Sequence, residues 1–522
     1  MRYGRPKKMS SGNDRISSSY IHKLQAIFHD IDNRGICVDQ GAIENAKLSV
    51  DTEIQRNLSI CSNQWGCHVY IGAVNGFQKG HAEFDNQVNV NSSSGEKTLL
   101  KKLKDIGYKV PTITKRNEDT GEYEAKYSSG ELTLQKMLVT NQFNFNGGDP
   151  AIRAILQVRE LSKLRNSYLN CRFYRSPDGL VLYLSHYNAA GTLTGRRSSK
   201  KHTFGFGNNA QNFPKHGKLA KIFRRCLIAR PGHIFLNVDQ KGAEEWPVNA
   251  LAENLTALAE MQAGVNRHIR RASRIFGIPE ASKTEAEWKD SLEYYLGKKT
   301  GHANNYGMQP NKMSDSLAQE GHSIPPLACK ALLEKLNALE PQIRGTFHAY
   351  IRNEIIKTRI LRTPFGRERQ FLGLRPNDNN YKLFNESFAY IPQSIVGDNN
   401  GFAVFNLETS LSNSERKLVH ENHDSIAQDI PADPATVWFY LQATVRAYDR
   451  RIRFHNEIEI NIPVEAELGY NYADMFKIKD MSYDGVVATL KRCNELREQQ
   501  QDEKRQQLQH QQLLDLANSV SA

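Results

Sequence analysis

Two aspartates far apart in the chain most constrain what this sequence can build. Asp239 closes the apolar run 234–238, and Asp424 follows His423 directly after a strand pattern over 417–422. A carboxylate at the end of a buried strand is held rigidly at a solvent-facing edge, where oxygen ligands bind a hard cation. The segment Ser425-Ile426-Ala427 comes next, so His423-Asp424 suits a hairpin turn with Asp424 at its tip. Two strand-end aspartates can share a metal pair about 3.5–4 Å apart, as in-line phosphoryl transfer requires. Taken singly, Asp239 reads better as a helix N-cap, and a lone His-Asp pair says little.

Between the aspartates lie two cationic patterns. Lys298, His302 and Tyr306 are spaced i, i+4, i+8, which puts them on one helix face. Such a face can grip a triphosphate and stack a base, or be an ordinary amphipathic surface with a snorkelling lysine. Arg267, His268, Arg270, Arg271 and Arg274 crowd one short helix, which favours phosphate contact or a solvated charged face. The surplus of basic residues, +12 overall, favours a polyanionic partner. With 522 residues, 39% of them hydrophobic, the chain can bury a large core and several lobes. No apolar run approaches the ~20 residues that span a bilayer, so no membrane partner is expected. The seven cysteines are odd in number and scattered, which suits a reducing compartment. Cys61, Cys67 and His68 cluster without a second pair at zinc-site spacing.

The remaining pattern is mixed. Residues 20–56 read as helix, turn, helix, with a glycine stop at Gly35. Residues 62–96 read as loop or short strands, 97–104 as a basic helix, 117–123 as a charged hairpin-like loop and 150–170 as a helix. Strands are expected at 181–184 and 234–239, and helices at 255–276, 285–306 and 326–357. The Gln-rich stretch 494–512 reads as an exposed helix outside the core.

The motifs and their order resemble DNA polymerase family A, the polymerase I-like enzymes. Thr194-Gly195-Arg196-Arg197-Ser198-Ser199 followed by Asn209-Ala210-Gln211-Asn212-Phe213-Pro214 resembles TGRxSS…NxQNxP. Asp239 to Glu244 resembles motif A, Lys298 through Tyr306-Gly307 motif B, and His423-Asp424 motif C. The likeness runs from about 20 to 480, and Pro392-Gln393-Ser394, Tyr306-Gly307-Met308 and Ser425 look phage-like.

The resemblance implies an α+β right-hand polymerase fold with an antiparallel palm sheet, helical fingers and a helical thumb. It implies a basic tail over 1–19, a thumb over 20–175, palm over 176–262 and 371–490, fingers over 263–370, and a Gln-rich tail over 491–522. Asp239, Asp424 and the Gln240 carbonyl would hold two Mg²⁺ ions, or Mn²⁺ in their place. Lys298 and His268 would hold the triphosphate, with Lys298 protonating the leaving group. Tyr306 would stack at the base, and His302 stands where the family has Phe or Tyr. Glu244 would block a ribose 2′-hydroxyl, and Arg196 and Gln393 would contact the minor groove. Primer–template DNA and dNTPs are the implied partners, for a monomer in a bacterial host's cytoplasm if phage-encoded. Too few residues precede the match for a proofreading domain, so no 3′–5′ exonuclease is expected in this chain, and editing or processivity could come from separate proteins. Lys241 stands where motif A has Ser, Tyr294 where the family has Arg, and Ser425 where motif C has Glu. Lys299, Arg270 and Arg271 are candidates to replace the missing arginine. A catalytically inactive DNA-binding scaffold, and a relaxed polymerase that copies RNA, are the competing readings.

Overall fold

The computed structural model describes residues 15–71, 87–90, 98–116, 123–214, 217–372 and 381–520. Most of the expected basic tail, the tip of the loop at 117–122 and much of 72–97 lie outside these residues. The chain divides into two compact units, each built from separated stretches: 1–43, 171–258 and 346–522 form one, and 44–170 and 259–345 the other.

The first unit is organised around a five-stranded sheet. Its order is Leu418–Asn422, Ser425–Pro431, His233–Gln240, Val464–Gly469, Phe476–Lys477, and every neighbouring pair is antiparallel. The central strand shows why the sequence signal was clear. Side chains alternate across a strand, so Ile234, Leu236 and Val238 enter the core while Asn237 and Asp239 take the opposite face. Helices Ser18–Arg34, Tyr381–Ser410, Pro434–Tyr448 and Tyr483–Val520 supply the other side of that core through Leu24, Phe28, Val404, Leu407, Val437, Leu441, Val486 and Leu490. Each fully buried Leu, Ile or Phe contributes about 1.5–3 kcal/mol by leaving water.

Helix Ser18–Arg34, which the family resemblance assigns to the start of the thumb, thus packs in the sheet-bearing unit. It ends at Gly35, whose φ of 60° suits a residue without Cβ. A Cβ there would also lie 2.4 Å from Leu184 Cδ2. The expected turn beyond it includes a short strand, Ile36–Val38, in a second, four-stranded sheet. The C-terminal helix is longer than expected, beginning at Tyr483, and its first turns are core: Cys493 is buried and Tyr470 Oη donates to Asn494.

The second unit is mainly helical. Its first stretch holds most of Gln40–Trp65, then Leu99–Asp105, Glu131–Thr140 and Pro150–Leu164, with a hairpin of Thr112–Arg116 and Tyr123–Tyr127. Its second stretch holds Arg267–Phe276, Leu292–Asn305, Pro310–Gln319 and Pro326–Leu339. The long helices expected at 255–276 and 285–306 are each broken in two. Asn266 caps the helix Arg267–Phe276 by accepting from the amides of His268 and Ile269, and Ser291 caps Leu292–Asn305 by accepting from Tyr294. The helix at 150–170 ends in a π turn, Arg165–Leu169, and the expected 326–357 helix is interrupted by another, Ile343–His348.

Candidate active site

Asp239 and Asp424 are brought together by the sheet. Residue 239 pairs directly with Ser425 on the neighbouring strand, so Asp424 sits one residue away across the ladder. Asp239 therefore lies within a strand, not at a helix N-cap. Asn422 pairs with Ser425, which leaves His423 and Asp424 as a two-residue hairpin turn. The turn is tight: Asp424 N–H donates to Asn422 O at 2.6 Å, and His423 takes φ 56°. A positive φ at a residue with a side chain is strained, and such strain clusters where geometry serves function. The amide of Gln240 donates to the Asp424 carbonyl at 3.1 Å, tying the turn to the central strand.

Both aspartates are half-buried and line one cavity of about 190 Å³, with Gln211, Arg224, Asn237, His420 and Tyr472 among its walls. The donor set is oxygen-rich. Among the described residues no group of three or more His, Cys, Asp or Glu converges as a metal cage. Two carboxylates without a full protein cage are the donor set of a Mg²⁺-type site, where substrate phosphates and water complete the shell. Gln240 is buried, and its side chain holds the helix behind it, donating to Val396 O at 3.1 Å and accepting from Asn399 at 2.8 Å.

Arg196, Glu244 and Gln393 also lie in this unit. Arg196 and Glu244 form an ion pair. Arg196 also packs on the helix Tyr381–Ser410 at Gly397, where a Cβ would meet its Cγ at 3.3 Å. Gln393 is four residues earlier on that helix, hence on the same face. The turn that carries Arg196 is fixed by Gly195 (φ 77°), against which the Arg367 guanidinium lies, and Arg367 in turn grips buried Asp398 with two nitrogens.

Sequence reasoning missed a buried polar cluster behind the hairpin turn. Arg197 and Glu421, both almost wholly buried, form an ion pair at 3.2 Å. Gln211 and Asn400 donate to the same carboxylate at 2.6 and 2.7 Å, and Tyr448 donates to Asn400. The available signal was a charged residue, Glu421, in a strand pattern next to the His423-Asp424 turn.

In the second unit, Lys298 and His302 stand exposed on one face of Leu292–Asn305, and Tyr306 caps its end, largely buried. His302 and Tyr306 meet edge to face at 5.0 Å. The neighbouring helix Arg267–Phe276 approaches closely because Gly297 and Gly301 leave space: a Cβ at either would lie 3.0 Å from Ala272 N or 2.5 Å from Arg271 Nη1. His268 packs edge to face on Tyr294 at 5.9 Å, one helical turn before Lys298.

The arginines of this helix correct the expectation of a phosphate-contacting face. Arg267 and Arg271 are buried on Glu340, and Arg267, Arg270 and Arg274 all pair with Glu260. Lys299 pairs with Glu320. The three candidates to replace the family arginine are thus committed to carboxylates of the protein, and they brace the helix pair.

With this geometry, the likeness to known proteins can be placed. The structure resembles the POL domain of Pol1 from M. smegmatis, solved with DNA primer-template and dNTP, at a TM-score of 0.65. Identity is 17%, over 89% of this chain and 70% of that one, so the fold is a right-hand polymerase fold. The DNA polymerase family A model matches residues 75–474, and the chain belongs to that family. Curated relatives include the thermostable DNA polymerase I of Thermus aquaticus, 25% identical over 61% of this chain and 36% of the relative. The DNA polymerase I of Deinococcus radiodurans is 24% identical, over 61% of this chain and 31% of the relative. The chain thus spans about a third of the length of these relatives. No helix among the described residues is long and apolar enough to cross a membrane.

Proposed function

We propose that this chain is a template-directed DNA polymerase that extends a primer 3′ end with dNTPs. The observation that carries the reading is the pairing of Asp239 with Ser425, which sets Asp239 and Asp424 at the wall of one cavity. Those carboxylates, with the main-chain oxygen of Gln240 as a further ligand, would hold two Mg²⁺ or Mn²⁺ ions. The bound ions would lower the pKa of the primer 3′-hydroxyl and neutralise charge on the leaving pyrophosphate.

The chain's own groups do the rest. Lys298 and His268 hold the triphosphate, and the exposed Lys298 ammonium donates its proton to the leaving pyrophosphate. Tyr306 lies against the base, and His302 beside the sugar. Glu244 closes the 2′ side of the nucleotide. Arg196 and Gln393 reach minor-groove acceptors common to all pairs, a check of pair shape without sequence. The ion pair of Arg196 with Glu244 means that each must exchange partners when DNA and nucleotide arrive. The phage-like details at 306–308 and 392–394 support a role in phage DNA replication, in the host cytoplasm.

Primer extension on a labelled primer–template, with Mg²⁺ and dNTPs, beside the Asp424→Ala variant, tests the reading. Extension by the wild type that vanishes in the variant is expected. DNA bound but never extended by the wild type would favour a scaffold.

A further inference from the structure

The buried pair Arg197–Glu421 is costly to keep. Arg197 is 1% exposed and Glu421 0%. Taking two charges out of water costs several kcal/mol per ion, and well-packed apolar residues often hold the same space as well or better. The fold nevertheless makes room for it. A Cβ at Gly401 would lie 2.5 Å from Arg197 Nη1, and the Gly397 carbonyl accepts from the same guanidinium. Glu421 has each oxygen satisfied, by Arg197, Asn400 and Gln211.

The location of the pair supplies a reason. Glu421 is on the strand that runs into the His423-Asp424 turn, and Gln211 joins Glu421 to the wall of the cavity that Asp239 and Asp424 line. Tyr448, linked to Glu421 through Asn400, feels the charges of Asp239, Glu421 and Asp424 together, after burial the main causes of its raised pKa. Glu421 stands three residues before Asp424 and is wholly buried, in a poorly screened interior where an unbalanced charge is felt strongly.

We propose that Arg197 and Glu421 are positioning residues that fix the charge balance beside Asp239 and Asp424, and so set the divalent-cation affinity of those aspartates. The inference rests on the reading of Asp239 and Asp424 as metal ligands. Glu421→Gln leaves the Arg197 cation uncompensated, which opposes a dication. Arg197→Met leaves Glu421 uncompensated, which attracts one. The two single changes must move affinity in opposite directions, and the double variant must return it. Simple damage to the fold would weaken binding in all three.

The experiment is Mn²⁺ binding to the full chain with primer–template, followed by the electron paramagnetic resonance signal of free Mn²⁺. A thermal melt of each variant checks folding. Glu421→Gln should weaken binding several-fold, about three- to tenfold, and Arg197→Met should tighten it. The double variant should fall within about twofold of wild type. Single variants that shift the same way, or a double variant weaker than either, would overturn the proposal. If a single variant does not fold, Glu421→Asp and Arg197→Lys decide: they keep both charges and should keep the affinity, and equal weakening there overturns it. Wild-type protein that binds no Mn²⁺, or binds it as well after Asp424→Ala, would instead overturn the metal-ligand reading beneath it.

Discussion

The backbone amide of Gln240 donates to the carbonyl of Asp424 at 3.1 Å. The two aspartate-bearing segments are thereby joined through main chain, and their separation does not depend on either side chain. Asp239→Asn and Asp424→Asn should each leave the fold intact and remove primer extension by at least ~10³-fold. Single-turnover extension with a melting curve for each variant checks this. A large fall in melting temperature alongside lost activity would contradict it.

Glu244 and Arg196 neutralise one another. Glu244→Ala should open the 2′ side and raise ribonucleotide incorporation relative to deoxyribonucleotide by about tenfold or more, since the excluded hydroxyl loses its steric barrier. Its effect on stability should stay within ~1 kcal/mol, because the pair is partly solvated. Competitive incorporation of matched rNTP and dNTP measures the first, and denaturant unfolding the second.

Lys298 is exposed, in contrast to the ion-paired Lys299. Lys298→Ala should cut kcat/KM for dNTP by ~10²-fold or more through lost phosphate charge stabilisation. Lys299→Ala should cost catalysis far less. Steady-state extension kinetics of the two variants side by side give the comparison.

Gly401 has no room for a methyl group, with Arg197 Nη1 at 2.5 Å and Tyr20 Oη at 2.9 Å from its missing Cβ. Gly401→Ala should destabilise the protein by about 1–3 kcal/mol through overpacking against a buried ion pair. Equilibrium unfolding reads this directly.

Burial lowers the pKa of His202, the first cause of its shift, and its Nδ1 accepts the Phe204 amide at 3.4 Å. The folded protein thus holds the ring neutral, while the unfolded chain takes up a proton near the ordinary value of about 6.5. Stability should be full above that value and fall as pH drops through it toward the lowered folded pKa. His202→Asn should show a shallower loss of melting temperature between about pH 7.5 and pH 5.5 than the wild type. Equal slopes would exclude His202 as a contributor.

The strand 233–240, the hairpin at 423–424 and the helix bearing Lys298 and His302 were readable from sequence. Each is a local matter: alternation, a turn between two strand patterns, and i, i+4 spacing. The breaks before Arg267 and Leu292 were harder to read, because Asn266 and Ser291 act as caps only once the flanking backbone turns.

By itself, then, the sequence determined which residues end strands, which share a helix face and which motifs follow which, since these depend on neighbours within a few positions. Tertiary structure alone decided what each charge meets. Arg267 and Arg271 look from sequence like cations offered to phosphate, and both are buried on Glu340, while Arg197 is buried on Glu421, more than two hundred positions away. The physical reason is that burial and ion pairing are set by contacts between segments far apart in sequence, and the free energy of a charge depends on that surrounding far more than on its neighbours along the chain.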